Sequence, residues 1–334
     1  MTSEKIKIRQ SNMETLRLIS IYFIVLYHLL MWFVHRFPEN KPYMTLWLPL
    51  HVGVICFILI SGYFGIKPSL KGFCHLLGVF FIFSLPEIIY GIVHASSIDT
   101  TIDACLFVTK SHYWFVRTYI TLYLLSPLLN VFNQGSTLNQ KKLMLLSLGV
   151  ISIYAGNIIN YPIYADGKNV VNFLFLYQIG YFLKLYSEKW SNVHFWKVLS
   201  AYCLLNFVVC IMYYLTFDTN FGQVIWQLSF PYNSPILIIN SILLFLVFAK
   251  LQFSSPFVNN LAKGVFAVYI LSCNLPYAQK AQMYVVRWIY QYLSGVPFVF
   301  LLALFAFLIV GGCIGIYWLF RPLWRNLDNL TNKL

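Results

Sequence analysis

Charge is scarce in this sequence. Only 10% of its 334 residues are Asp, Glu, Lys or Arg, against 60% hydrophobic and 19% aromatic. A soluble domain usually carries about 25% charged residues, so that class is excluded and a polytopic membrane protein is expected. Paired cysteines are lacking as well. The seven, Cys56, Cys74, Cys105, Cys203, Cys210, Cys273 and Cys313, are scattered with no C-x-x-C pair. They read as small apolar packing residues instead of disulfide partners or metal ligands, and no metal is expected. No fixed-period repeat or low-complexity tract is present, which counts against a transporter built from sequence-similar halves. The first apolar run lacks a small-residue cleavage site and is too long for a signal peptide, so it is expected to be retained as a span.

What the sequence does contain is apolar runs from end to end. They predict an all-α membrane protein with ten transmembrane helices, over about 14–36, 43–64, 73–94, 112–132, 142–159, 169–187, 195–215, 235–251, 262–279 and 296–320. Nothing outside them is large enough for a separate soluble domain, so one transmembrane domain over 1–334 is expected. An even number of spans puts both termini on one side. Sixteen Lys and Arg fall on that side, among them Arg17, Lys67, Lys71, Lys263 and Arg321. Six fall on the other: Arg36, Lys41, Lys110, Lys168, Lys280 and Arg287. The bias predicts cytoplasmic termini. The net charge of +13 is spread over many short loops instead of one patch, so it reads as a topology signal with attraction to anionic lipid, not as a nucleic-acid site.

Ionisable groups inside hydrocarbon are costly and ask for an explanation. Ten residues separate Arg17 from His28 on the first span. That spacing puts both on one helix face, roughly 16 Å apart along the axis. In the outer half of the membrane, His28, His51, Glu87, Arg117, Asn240 and Asn274 fall at similar depth on six spans. Each has a packing alternative: His51 as a hydrogen-bonded core residue, Glu87 with Arg117 as a structural ion pair, Asn240 and Asn274 as interhelical amide partners. On the inner side, Arg17 has Glu14 three residues before it, and Lys67, Lys71 and His75 lie at the start of the third span. These are either solvated positive-inside charges or a pocket for an anionic cofactor. Gly62 in Ser61-Gly62-Tyr63 reads first as a close helix contact. Trp114 in His112-Tyr113-Trp114-Phe115 reads as aromatic belt or as an acceptor platform.

Four segments in order resemble a known family: Arg17-x10-His28, Phe57-Ile58-Leu59-Ile60-Ser61-Gly62-Tyr63, Trp114-Phe115 followed by Tyr123-Leu124-Leu125-Ser126-Pro127-Leu128, and Val265-Phe266-Ala267-Val268-Tyr269-Ile270-Leu271. Together they are similar to the acyltransferase family 3 membrane proteins, which O-acylate bacterial surface polysaccharides and other extracytoplasmic acceptors. The resemblance implies a multi-pass protein of the bacterial cytoplasmic membrane, a cytoplasmic acyl-coenzyme A donor, usually acetyl-CoA, and a carbohydrate hydroxyl as acceptor. It carries Arg17 and His28 over as essential residues. Two departures stand out. Lys67, Lys71 and His75 occupy the place of the family's usual Arg-rich stretch, and Ser272-Cys273-Asn274 the place of a usual His.

Transfer to a hydroxyl needs a base, and His28 is the candidate, with Glu87 as a residue that orients it. Arg17, Lys67, Lys71 and His75 are the candidates for donor binding, and His51, Trp114, Arg117 and Asn274 for the acceptor. Ser61, Arg117 and Asn274 are candidate oxyanion donors. The rival reading is a transporter or flippase whose buried His, Glu and Arg bind substrate or relay protons. Oligomeric state is left open, with a homo-oligomer among the alternatives.

Overall fold

The computed structural model describes residues 10–93, 113–273, 275–324 and 326. Asn274, His112, Cys105 and the charges Lys5, Lys7, Arg9, Lys110, Arg325 and Lys333 lie outside the described residues, as does the side chain of Glu87. No strand occurs among the described residues. The helices are α1 (Ser11–Arg36), α2 (Trp47–Phe64), α3 (Leu70–Val93), α4 (Trp114–Gly135), α5 (Leu138–Gly149), α6 (Val170–Leu185), α7 (Ser187–Ser191), α8 (Phe195–Thr216), α9 (Asn220–Ser229), α10 (Pro235–Ala249), α11 (Pro256–Leu261), α12 (Val265–Cys273), α13 (Pro276–Tyr292) and α14 (Gly295–Leu319). A 3-10 stretch, Pro38–Leu46, links α1 to α2, and a π-helical stretch, Val150–Ile158, prolongs α5.

Among the described residues, six helical segments are long and apolar enough to cross a membrane: Ser11–Arg36, Pro38–Phe64, Trp114–Gly135, Leu138–Ile158, Phe195–Thr216 and Gly295–Leu319. Three further apolar helices are shorter, Leu70–Pro86, Val170–Leu185 and Pro235–Ala249. The expected span at 262–279 is not a straight helix: Pro256–Cys273 and Ala278–Tyr292 meet at a bend of 77°. Pro276 at the start of α13 explains the break, since it supplies no amide to a preceding turn.

The core is built on α1 and α2. Helix α2 is apolar all round and buried along most of its length between α1, α6 and α10. Backbones approach closely there because small residues face them. A methyl group at Gly62 would land on the carbonyl oxygen of Tyr177 in α6, and Gly180 of α6 meets the carbonyl of Leu59. Helices α11, α12 and α14 close the other side of α1, and α3 packs on α12. Asn206 of α8 and Asn240 of α10 exchange two amide hydrogen bonds of 2.9 Å each, the interhelical pairing that satisfies a buried amide in an apolar bundle. Outward faces of α8 and α14 expose Leu204, Phe207, Leu215, Phe300, Phe307 and Leu308. Such a continuous apolar exterior belongs in lipid, and the chain is a multi-pass membrane protein.

Candidate functional site

Two regions of chemistry lie one above the other along α1. The one around Arg17 is a cavity of about 840 Å3, a size typical of small-molecule sites. Arg17, His75, Lys263 and Arg321 bring cationic or titratable groups to its lining; Ser61, Tyr119, Asn260 and Tyr269 bring other polar groups. Ile21, Ile24, Val54, Phe57 and Phe115 make its apolar wall. Arg17 is held from its own helix: Nη1 donates to Glu14 Oε1 at 2.6 Å, the i,i+3 pairing that the sequence spacing allows. Lys263 Nζ donates to Asn260 Oδ1 at 3.0 Å. Both Lys263 and Arg321 reach the ring of Trp318, at 6.0 and 5.3 Å from its centroid, so that indole carries two cations at the cavity's edge. A side cavity of about 200 Å3 shares His75, Tyr119 and Lys263 with the main one.

The cavity's apolar wall includes Ile24, and Ile24 is what fixes His28. His28 Nδ1 lies 2.7 Å from the Ile24 carbonyl oxygen. A carbonyl only accepts, so Nδ1 carries a proton, and in the neutral imidazole Nε2 then keeps a lone pair. His51 on α2 is fixed in the same way, with Nδ1 2.7 Å from the carbonyl oxygen of Phe230. Tyr27 lies between the two, stacked on His51 at 4.5 Å and edge-on to His28 at 5.4 Å. Tyr232 packs on His51 at 4.3 Å and Trp114 on Tyr232 at 5.2 Å. The region around His28 is thus a sheet of rings holding two imidazoles whose Nε2 atoms are acceptors in the neutral ring. Phe115 joins the two regions: it lines the cavity, follows Trp114 in sequence, and stacks on Tyr119 and tilts against Tyr269.

Of the residues singled out by sequence, the fold brings His28, His51 and Trp114 into the ring layer, and Arg17, His75 and Ser61 to the cavity. Ser61 Oγ is 3.4 Å from Tyr119 Oη. Lys67 is exposed on the loop before α3, and neither it nor Lys71 lines the cavity. That loop is pinned elsewhere: Tyr177 Oη accepts from Ile66 N at 3.1 Å, and Tyr123 Oη accepts from Ser69 N at 2.9 Å. Arg117 sits half-buried on α4, outside the cavity lining. Glu87 follows Pro86 on α3, its side chain outside the described residues, and Asn274 is likewise outside them. Lys263, Arg321 and Trp318 also line the cavity, although nothing in the sequence singles them out. Lys263 stands two positions before the Val265–Leu271 segment and Arg321 just past the last span, where both look like ordinary topology charges. Among the described residues, no group of three His, Cys, Asp or Glu side chains is placed to hold a metal ion.

The model of acyltransferase family 3, an acyltransferase domain, matches residues 10–320, nearly the whole chain. No curated protein and no solved structure matches it.

Proposed function

The chain belongs to acyltransferase family 3, and from that premise we propose an acetyl-CoA-dependent O-acyltransferase of the bacterial cytoplasmic membrane acting on an extracytoplasmic sugar hydroxyl. On this reading ten segments cross the bilayer and both termini are cytoplasmic. The cavity is the donor site and opens inward. Arg17, His75, Lys263 and Arg321 take the phosphates of the coenzyme, because clustered cations favour such groups. Trp318 offers a face for its base. The pantetheine arm follows the apolar wall toward Ile24 and presents the thioester below His28.

The hydroxyl comes from the outer side. His28 Nε2 removes its proton as the oxygen attacks the thioester carbonyl. The carbon–sulfur bond then breaks, the coenzyme leaves as a thiolate, and the imidazolium returns the proton to that sulfur. The products are the acetyl ester and coenzyme A, with the histidine restored. His51 and Trp114 hold the sugar, the imidazole by accepting from a second hydroxyl.

The observation that carries this reading is the continuity from cationic cavity to base: Ile24 lines the cavity and its carbonyl sets the tautomer of His28. The test is transfer of labelled acetyl from acetyl-CoA in vesicles containing the protein. Turnover that requires His28 is expected. Flux of a glycan across the vesicle without acylation supports a transporter and overturns the reading.

A further inference from the structure

The outer roof of the ring layer is held more firmly than a surface loop requires. Residues 164–169 join the π-helical end of α5 to α6, and buried amides grip their backbone. Asn233 Nδ2 donates to the carbonyls of Tyr164 and Ser152 at 3.0 and 2.9 Å. Asn172 Nδ2 donates to the carbonyls of Gly167 and Tyr232 at 2.9 and 3.2 Å, and its Oδ1 accepts from Ser152 Oγ at 2.8 Å. Tyr232 N donates to Asp166 O at 3.0 Å. Ser152, Asn172 and Asn233 are buried.

The grip enforces an unfavourable backbone. Asp166 and Gly167 have φ of +58° and +69°, and a left-handed conformation is unfavourable for a residue with a Cβ. A Cβ on Gly167 would stand 2.5 Å from the Asn233 amide nitrogen and 2.7 Å from Asn172 Nδ2. Such strain persists only where the surroundings over-determine it.

What this strained turn positions is Lys168. The residue is exposed and makes no hydrogen bond or ion pair with any described residue. Its neighbours in the turn lie directly on the ring layer: Asp166 O accepts from Tyr232 N, Gly167 abuts the Tyr232 backbone, and the Tyr232 ring packs on His51 at 4.3 Å. An exposed lysine thus stands on a tightly held loop that packs, through Tyr232, against the ring layer, whose two imidazoles can each accept from a hydroxyl.

We infer that Lys168 is a specificity-determining residue of the outer site, where it binds a negatively charged group, phosphate ester or carboxylate, on the same molecule that offers its hydroxyls to His28 and His51. This rests on the acyltransferase reading and names its acceptor class: an anionic carbohydrate.

The test is binding of glucose, glucose 6-phosphate and glucuronate to the full chain in phosphatidylcholine nanodiscs, with coenzyme A saturating the inner cavity. Wild type is expected to bind at least one anionic sugar about tenfold more tightly than glucose. The phosphate and carboxylate arms tell which anion is preferred. Lys168→Glu should abolish the preference with glucose binding unchanged, and Lys168→Arg should keep it. Four results overturn the inference: no binding of any probe, no preference in wild type, a preference that survives Lys168→Glu, or an equal loss for glucose. A preference that vanishes when phosphatidylglycerol is added assigns Lys168 to lipid headgroups and overturns it as well. A Lys168-dependent preference in a protein that transfers no acetyl group sinks the activity and leaves this inference standing. Transfer with no preference for anionic sugars does the reverse.

Discussion

Arg17, His75, Lys263 and Arg321 reach the cavity from four separate segments, three of them on long side chains. His28 and His51 are each clamped by a backbone carbonyl at 2.7 Å and boxed by rings. On the proposed function the two regions answer different demands. A large charged donor that enters and leaves is served by adaptable cations around an open space. Proton transfer is served by an imidazole with one tautomer and one orientation. The contrast gives each region its own kinetic signature, and substitutions can break or sharpen it.

The largest effect is expected from His28→Ala: a loss of at least about 100-fold in kcat, with coenzyme A binding retained. Labelled transfer and equilibrium binding on the same preparation measure both, and normal transfer would remove His28 as the base. Next come Lys263→Ala and Arg321→Ala. Each should raise the donor KM about tenfold, with kcat changed far less, as for a group that holds ground and transition state alike. A fall in kcat at unchanged KM would instead erase the division between the regions.

Asn172→Ala should act on the roof alone. It removes two buried donated hydrogen bonds and should cost about 1–3 kcal/mol of stability, read as a lowered thermal midpoint. The acceptor KM should rise while the donor KM holds. The smallest effect is expected from Lys67→Ala, less than about twofold in any kinetic parameter, as for an exposed charge outside the cavity. A donor KM shift matching that of Arg321→Ala would return Lys67 to the donor site.

Much of the helical framework is legible in the sequence. A helix lies at every one of the ten apolar runs, and Gly62 and Asn240 are the helix contacts that their chemistry suggests. The break at Pro276 and the helices α9 and α13 are not apparent from hydropathy. Both carry polar residues on one face, and a sum over a window averages the faces away. Of the site, Arg17 and His28 stand out because ionisable groups in an apolar run are rare. Lys263 and Arg321 do not, because a cation flanking a span looks the same whether it faces lipid headgroups or a cavity. Lys168 hides for the same reason.

The sequence by itself determined that this chain is helical and membrane-embedded, and it marked one helix with Arg17 and His28. Those properties follow from composition and spacing, which act locally along the chain. Which cations share a cavity, which carbonyl sets each imidazole tautomer and where the 164–169 loop rests were decided only by tertiary structure. They depend on backbone approaches such as Gly62 against Tyr177 and on amides such as Asn172 and Asn233 reaching distant carbonyls. Such contacts join residues far apart in sequence, and no local pattern encodes the partner of a buried hydrogen bond.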